Sequence, residues 1–332
     1  MRTSDYTVSR KEVSGVDVWA GIDIGGTKCA AVLARPAQGK PQIVAKRRYL
    51  TAGHPKPSDM LSALAEAVGE MCAELCVSPA GIGVSCGGPL DSRKGMILSP
   101  PNLPGWDEVP VCDFFCERFG VPVFLQNDAN ACAVAEWKFG AGRGTRNMIF
   151  LTFGTGLGAG LILDGRLYSG TNDMAGEAGH MRVSPDGPVG YGKRGSFEGF
   201  CSGGGLRQLA EMRYAAFDGE TTLTADDLSA KTVAERAEAG DALAQAIYAE
   251  CGEMLGRGLA VLVDILNPER IVLGSIYARS GHLLQSAMLR TLRAEALPPA
   301  LDVCSVVPAE LGDSIGDYAA LGVLSCGLEE IR

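Results

Sequence analysis

No apolar run of about 18 residues, the length that crosses a bilayer as a helix, occurs in this 332-residue chain. No positively charged segment followed by an apolar one stands near its start, so we expect neither secretion nor membrane insertion. An excess of positive charge is also lacking, because the formal net charge is −9 and no dense run of Lys and Arg occurs. We therefore expect neither nucleic acid nor a membrane among the partners of this protein.

Cysteine and histidine patterns that bind metals are missing as well. Histidine occurs 3 times, and the 11 cysteines are scattered, often inside apolar stretches, with no C-x-x-C pair. We interpret them as buried, reduced thiols of a cytoplasmic protein. With 46% hydrophobic residues, 21% charged residues and 44 glycines, the composition is typical of a globular α/β enzyme that buries a sizeable core.

Apolar segments and glycine turns divide the chain into two similar units. The first opens with "VDVWAGIDIGGTKCAAVLAR", two β-rich runs joined by a Gly turn, and continues to the helix-like "ANACAVAEWKFGAG". The second opens in the same way with "RNMIFLTFGTGLGAGLILDG" and ends with the helix-like "SIGDYAALGVLSCGL". This repetition predicts a duplicated α/β architecture with a cleft between two lobes.

The two glycine turns, Gly25-Gly26-Thr27 and Gly154-Thr155-Gly156, each follow an apolar run. Without a Cβ atom, main-chain N–H groups can approach an anion closely, and the Thr hydroxyl adds a donor. One such turn could equally be an ordinary hairpin, but two of them favour the phosphates of a nucleotide. No G-x-x-x-x-G-K-[ST] segment occurs, which excludes a P-loop. A β-like run after the second turn excludes the dinucleotide fingerprint, which needs a helix there.

Asp23 lies inside the apolar run that precedes the first turn. A carboxylate beside a phosphate pocket repels the phosphate unless a divalent cation, or water bound to it, lies between them. Mg²⁺ suits this position because it keeps its waters and binds through few carboxylates. Lys28 either adds a positive charge to the same pocket or is a solvated strand residue.

Asn127 and Asp128 end another strand-like run, directly before a helix-like segment. From its position, Asp128 either caps the helix that starts near Ala129 or faces the crevice where α/β proteins bind ligands. In the second case its carboxylate could accept the proton of a substrate hydroxyl that attacks a phosphoryl group.

Glu177 and His180 are three residues apart, and Glu198 follows them. A di-iron site would need a second Glu-x-x-His motif, which the chain lacks. The two side chains either hydrogen-bond a polyhydroxyl ligand or form a structural network.

The segments "DIGGTK", "SCGGPLD", "NLPGW", "QNDANACAVAE", "FGTGLGAG", "AGEAGH" and "NPERIVLGS" occur in this order. Together they resemble the ROK family of sugar kinases, within the actin/hexokinase-like superfamily, from about residue 18 to the end of the chain. The resemblance implies a duplicated actin/hexokinase-like (ribonuclease H-like) two-lobe α/β fold. We expect a leader at 1–16, a small lobe at 17–130 completed by a C-terminal helix at about 315–332, and a large lobe at 131–314.

The resemblance also implies the function, which is ATP-dependent transfer of the γ-phosphoryl group to a hexose hydroxyl, O6, with a glucose-like sugar as the first choice. N-acetylmannosamine or N-acetylglucosamine kinase activity is the alternative, and a non-catalytic sugar-binding regulator is the alternative of another class. The implied ligands are ATP, Mg²⁺ and a sugar, and the implied assembly is a homodimer. Regulators of the family carry a DNA-binding segment first, and about 17 residues before the first strand are too few for one.

By position, the resemblance implies that Asp128 is the general base. It implies that the sugar is held by Gly88, Asn102, Asn127, Glu177, His180 and Glu198. The expected ATP and phosphate contacts are Asp23 (also the Mg²⁺ ligand, directly or through water), Gly25, Gly26, Thr27, Lys28, Gly154, Thr155, Gly156, Gly274 and Ser275.

One departure from the family pattern concerns zinc. Many members carry C-x-C-G-x-x-G-C-x-E, and its three cysteines bind a structural zinc ion together with a histidine. Here the matching stretch is "VGYGKRGSFE", in which Val189, Tyr191 and Ser196 stand in the cysteine places. Tetrahedral zinc needs four good donors, so we predict no zinc site. We expect packing, by Tyr191 and Phe197, to hold this segment, and another hydrogen bond to orient His180.

Overall fold

The computed structural model describes residues 17–331, and the predicted leader at 1–16 lies outside them. Its strands are β1 (Asp17–Ile24), β2 (Lys28–Arg35), β3 (Gln42–Leu50), β4 (Ser78–Cys86), β5 (Leu90–Asp91), β6 (Met96–Ile97), β7 (Val123–Asn127), β8 (Met148–Leu151), β9 (Ala159–Leu163), β10 (Arg166–Leu167), β11 (Val189–Gly190), β12 (Lys193–Arg194), β13 (Arg270–Leu273) and β14 (Ser305–Pro308).

The α-helices are α1 (Pro57–Leu75), α2 (Val111–Phe119), α3 (Asp128–Phe139), α4 (Phe197–Phe200), α5 (Gly203–Ala215), α6 (Ala230–Glu238), α7 (Ala242–Leu266), α8 (Ile276–Glu295), α9 (Pro298–Leu301) and α10 (Ile315–Glu330). Short 3₁₀ turns occupy Thr51–Gly53, Ala178–His180 and Gly312–Ser314. In the part of the chain that the structure describes, no helix is long and apolar enough to cross a membrane.

Two five-stranded sheets with the same topology form the framework. In the first sheet, β1 pairs antiparallel with β2 and β2 with β3, while β1, β4 and β7 run parallel. In the second sheet, β8 pairs antiparallel with β9 and β9 with β10, while β8, β13 and β14 run parallel. The structure therefore shows the duplication that the two glycine-turned hairpins predict.

Two helices pack against each other between these sheets. Helix α10 packs on β1 and β4 of the first sheet, α3 packs on β8 and β9 of the second, and the two helices contact each other. Glycines allow this close approach: a Cβ atom on Gly83 would lie 1.9 Å from the carbonyl oxygen of Ala320, and one on Gly160 would lie 2.6 Å from that of Ala129. The C-terminal helix thus packs on the first sheet, while the lobe boundaries at 130 and 314 stay predictions.

The second lobe has a separate core built around the two longest helices, α7 and α8. Gly252 and Gly256 stand one turn apart on α7, and Cβ atoms there would lie 2.6 Å from the carbonyl oxygen of Leu284 and 2.5 Å from that of Met288. Glycine normally weakens a helix interior. Here its absent side chain lets the backbones of α7 and α8 approach, and the apolar residues beside it bury their surface.

Candidate active site

The carboxyl ends of the parallel strands meet at one edge of each sheet. In the first sheet Asp23 is in register with Ser85, and Cys86 is in register with Asn127. In the second sheet Leu151 is in register with Leu273, so the second glycine turn and Gly274 follow adjacent strands. Ligands of α/β proteins bind at this edge. The predicted site residues Asp23, Asn127 and Gly274 lie at or directly after these strand ends.

Asp23 is a carboxyl group in an unusual electrostatic environment. Its pKa is raised to about 7, first by burial and then by the negative charges of Asp128 and Asp317, against a hydrogen bond from Ser85 and the charge of Lys46. The register places the two residues at the same sheet edge, because Ile24, next to Asp23, pairs with Cys86, and Cys86 pairs with Asn127, next to Asp128. A cation that binds here would offset negative charge that the protein itself leaves poorly compensated.

Asn127 and Asp128 have different positions at the start of α3, and the sequence alone could not show which of them caps the helix. Asn127 is the N-cap of α3, and its side-chain oxygen accepts a hydrogen bond of 2.8 Å from the main-chain N–H of Asn130. The carboxylate of Asp128, the first residue of α3, accepts from the N–H of Ala129 at 2.8 Å. Asp128 is exposed, yet the surrounding protein removes enough water to raise its pKa. Because Asn127 is the N-cap, Asp128 is not the helix cap.

The first glycine turn is tight and touches the loop that carries Asn102. The N–H of Gly25 donates to the carbonyl oxygen of Lys28 at 3.1 Å. A Cβ atom on Gly26 would lie 2.5 Å from the carbonyl oxygen of Asn102, so only glycine fits there. The turn and Asp23 line a recess of about 330 Å³.

The second glycine turn borders a larger cavity of about 650 Å³, whose other walls come from α6, α7 and α8. Within the turn, the N–H of Gly154 donates to the carbonyl oxygen of Gly156 at 3.0 Å. Thr155 and Ser275 both line the cavity, and a Cβ atom on Gly154 would lie 3.5 Å from the hydroxyl of Ser275. The structure thus brings together the residues predicted for the phosphates and the nucleoside in this half of the chain.

The start of α3 lies beside this second turn. A Cβ atom on Gly158 would lie 3.3 Å from the Cβ atom of Ala129, the residue after Asp128. Asp128 is near the first turn as well, because the preceding Asn127 is in register with Cys86, and Cys86 is in register with Ile24, directly before that turn. Asp128 therefore stands at the junction of the two lobes, close to both turns.

Glu198 links the second turn to the segment that contains Glu177 and His180. Its carboxylate accepts a hydrogen bond of 3.0 Å from the N–H of Leu157. A Cβ atom on Gly179 would lie 3.2 Å from the Cβ atom of Glu198. The half-buried Glu198 therefore contacts one expected phosphate turn and one expected sugar turn, whereas Glu177 is exposed. Gly88 is exposed, and a Cβ atom on it would meet nothing within 4 Å.

Comparison with known proteins identifies the family. The family model of the ROK family matches residues 19–324. This chain belongs to the ROK family. A glucokinase of Thermotoga maritima is 30% identical over 309 residues, which are 92% of this chain and 96% of that protein. A ROK family glucokinase of Streptomyces griseus, solved in complex with glucose and AMPPNP, is 31% identical with a TM-score of 0.71, and the match covers 91% of this chain and 97% of that one.

The family also contains proteins that are not enzymes. The DNA-binding transcriptional repressor Mlc of Escherichia coli is 31% identical over 218 residues, which are 65% of this chain and 53% of that protein. Membership of the ROK family therefore confirms the predicted two-lobe fold and family, and it leaves catalysis to be argued from the site.

The segment in which many ROK proteins bind zinc has other contacts here. The ring of Tyr191 stands edge-on to the ring of His180, with centroids 5.1 Å apart. Ser196 caps α4 by accepting from the N–H of Gly199 at 3.1 Å, and the side chain of Gln208 bonds both main-chain groups of Val189. Among residues 17–331, no group of three or more His, Cys, Asp or Glu is placed to hold a metal ion. The residues present do not fit zinc, and its absence stays a prediction.

Two residues of the candidate site were not predicted from the sequence. Lys46 on β3 forms an ion pair with Asp317 in the first turn of α10, and both line the recess that contains Asp23. They are 271 positions apart in the chain. An Asp in the otherwise apolar segment "SIGDYAALGVLSCGL" was the available signal, but it equally suits a helix N-terminus.

Proposed function

We propose that this protein is an ATP-dependent sugar kinase that transfers the γ-phosphoryl group of ATP to a hydroxyl, O6, of a hexose, with a glucose-like sugar as the first choice. Similarity to glucokinases over most of the chain supports a sugar as acceptor. The solved relative with glucose and AMPPNP supports a nucleoside triphosphate as donor. N-acetylmannosamine and N-acetylglucosamine remain the alternative acceptors.

The position of Asp128 carries this proposal. It stands at the start of α3, near both glycine turns, and it is exposed. A general base must reach the proton that it takes. A carboxylate between a donor site and an acceptor site satisfies this requirement.

In the proposed reaction the sugar hydroxyl oxygen attacks the γ-phosphorus of ATP. A new oxygen–phosphorus bond forms, the bond between that phosphorus and the β,γ-bridging oxygen breaks, and ADP leaves. Asp128 takes the hydroxyl proton. The raised pKa of Asp128 makes it a stronger base than an ordinary Asp.

The acceptor side of the cleft would hold the sugar by hydrogen bonds to its hydroxyls. The residues proposed for this are Asn127, whose amide nitrogen is not used in capping α3, and Asn102, beside the first turn. Glu198 keeps one carboxylate oxygen beyond the bond to Leu157, and the half-buried His180 ends the 3₁₀ turn that contacts α4. Glu177 and Gly88 complete the proposed set.

Mg²⁺ fits the chemistry of the recess around Asp23. The pKa of this carboxyl group, raised to about 7 by burial and by the charges of Asp128 and Asp317, shows that its negative charge is poorly compensated. Bound there, Mg²⁺ would neutralise phosphate charge. Asp23 would hold it directly or through water, and Lys28 lines the same recess.

The nucleotide would extend from the second glycine turn into the 650 Å³ cavity. The N-terminus of α5 meets this turn, where the N–H of Gly203 donates to the carbonyl oxygen of Gly154 at 2.8 Å. Ser275 and Gly274 would lie toward the nucleoside. The proposed assembly is a homodimer, as the family resemblance implies.

Release of ADP from ATP, measured with a panel of hexoses and N-acetylhexosamines, tests the activity and the acceptor together. In Asp128→Asn we expect turnover to fall by about 10²-fold or more, with sugar affinity by calorimetry close to that of the wild type. Asp113→Asn is the matched control, because Asp113 also lies in the first turn of a helix, α2, and is exposed. Turnover near normal in Asp128→Asn would remove the assigned base. Sugar binding with no ADP release in the wild type would favour the regulator.

A further inference from the structure

Thr51 holds the first glycine turn by two hydrogen bonds. Its hydroxyl donates to the carbonyl oxygen of Gly25 at 2.7 Å. Its main-chain N–H donates to the carbonyl oxygen of Thr27 at 3.0 Å. Thr51 directly follows β3, the edge strand of the first sheet, which is separated from β1 by β2. The turn is therefore held from the β3 side of the sheet, away from β4 and β7.

These bonds determine where the next N–H group points. In a planar trans peptide unit, the C=O and N–H groups point in opposite directions. The carbonyl of Gly25 points toward Thr51, on the β2–β3 side of β1, so the N–H of Gly26 in the same peptide unit points toward β4 and β7. Asp128 follows β7 at that edge.

The N–H of Gly26 is also free to bind a ligand. Within residues 17–331 no main-chain or side-chain acceptor takes it, and Gly26 is exposed. A free N–H donor that is held in place costs no reorganisation when negative charge develops on a nearby phosphoryl oxygen.

We propose that Thr51 is a positioning residue for phosphoryl transfer, which aims the N–H of Gly26 at the phosphates of the bound nucleotide. This inference rests on the proposed function. Thr51 touches no reacting atom itself and acts through the Gly25–Gly26 peptide unit.

Cys29 supports Thr51 in this geometry. The buried sulfur of Cys29 lies 3.6 Å from the hydroxyl oxygen of Thr51. Burial raises the pKa of the Cys29 thiol, which keeps its proton and donates to the carbonyl oxygen of Gly25 at 3.7 Å. Cys29 and Thr51 therefore both donate to the carbonyl oxygen of Gly25, and the bond from Thr51 is the shorter one.

Thr51→Val tests the proposal, because valine keeps the shape and the main-chain N–H but removes the hydroxyl. Loss of one oriented hydrogen-bond donor in a transition state lowers kcat about 10²-fold or more. A donor that stays but points in a less favourable direction should lower it less. We expect kcat/KM for ATP to fall about tenfold, with the KM for the sugar unchanged. Thr51→Ser should restore most of the loss, because serine keeps the hydroxyl.

Thr145→Val is the matched control. The buried Thr145 hydroxyl also donates to a glycine carbonyl, that of Gly142, at 2.7 Å, in the turn after α3. Its loss should lower the melting temperature and leave kcat/KM for ATP unchanged. The proposal is overturned if Thr51→Val keeps the wild-type kcat/KM for ATP, or if the KM for the sugar rises by as large a factor as kcat/KM for ATP falls.

Calorimetric binding of ADP separates this proposal from the proposed function. Weaker ADP binding in Thr51→Val than in Thr145→Val supports the positioning role even if the wild type phosphorylates no sugar in the panel. Equal ADP affinity in wild type and Thr51→Val, with normal turnover, leaves the kinase proposal standing and overturns this one. A wild type that neither turns over nor binds ADP overturns both.

Discussion

Glu198 and Leu157 are joined by a hydrogen bond of 3.0 Å, in which the main-chain N–H of Leu157 donates to a carboxylate oxygen of Glu198. Leu157 directly follows the second glycine turn, and Glu198 lies in α4, beside the 3₁₀ turn that ends at His180. One carboxylate therefore connects the proposed phosphate and sugar subsites. A substitution or a ligand that moves the Glu198 side chain can therefore affect both subsites.

Replacement of Glu198 should separate its two contacts. In Glu198→Gln the amide oxygen still accepts from Leu157, but the charge and one acceptor are lost. We therefore expect the KM for the sugar to rise about tenfold and the KM for ATP to change little. In Glu198→Ala the turn also loses its partner, so the KM for ATP should rise as well. Steady-state kinetics with each substrate varied in turn measures this, and equal effects of both variants on ATP would contradict it.

Asp23 should make the stability of the metal-free protein depend on pH. The pKa of its carboxyl group is raised to about 7 in the folded protein, and it is about 3.9 in an unfolded chain. Between these values the folded protein binds more protons, so its free energy of unfolding falls as pH rises. In Asp23→Asn this contribution is absent, so the variant should gain stability over the wild type as pH rises from about 4 to about 7. Urea unfolding without Mg²⁺ measures the difference, and a constant difference would refute the assigned ionisation.

Asp241 should have the opposite pH dependence. Burial alone raises the pKa of this N-cap carboxylate, but hydrogen bonds from Ala244, Thr222 and Thr221 lower it to about 2. The stabilisation is therefore present above about pH 4 and is lost as pH falls toward 2. Asp241→Ala should lower the free energy of unfolding at neutral pH by about 2 kcal/mol.

Asp241 lines neither cavity of the candidate site. Chemical denaturation and kinetics on Asp241→Ala and Asp241→Asn distinguish a stability effect from a catalytic one. The asparagine variant keeps an acceptor for the cap and should lose less stability. A fall in kcat at a temperature where Asp241→Ala is fully folded would show that the assigned role is incomplete.

Metal analysis tests the zinc prediction. We expect the purified wild type to contain close to no zinc, because Val189, Tyr191 and Ser196 supply no thiolates. The triple variant Val189→Cys, Tyr191→Cys and Ser196→Cys should bind about one zinc ion per chain, with His180 as fourth ligand. Mass spectrometry of the metals measures both proteins. One zinc ion per wild-type chain would prove the prediction wrong.

Local motifs made several parts of this molecule predictable. The glycine turns are recognisable because close approach of main-chain atoms excludes a Cβ, as the 2.5 Å clearance at Gly26 shows. The doubled hairpin pattern predicts the two sheets, since strand periodicity and turn residues are local properties. The Asn127-Asp128 pair marks a helix start at the end of a strand. Which of the two residues caps the helix was not predictable, because both side chains are good caps.

What the sequence determined by itself was the fold class, the family and the residue types at the strand ends, because each depends on neighbouring residues. Only the tertiary structure decided that Lys46 and Asp317 lie beside Asp23, that Thr51 holds the first turn, and that Tyr191 packs on His180. Lys46 and Asp317 are 271 residues apart and neither carries a local signature. Their proximity arises because α10 packs back on the first sheet, and that packing is a property of the whole folded chain.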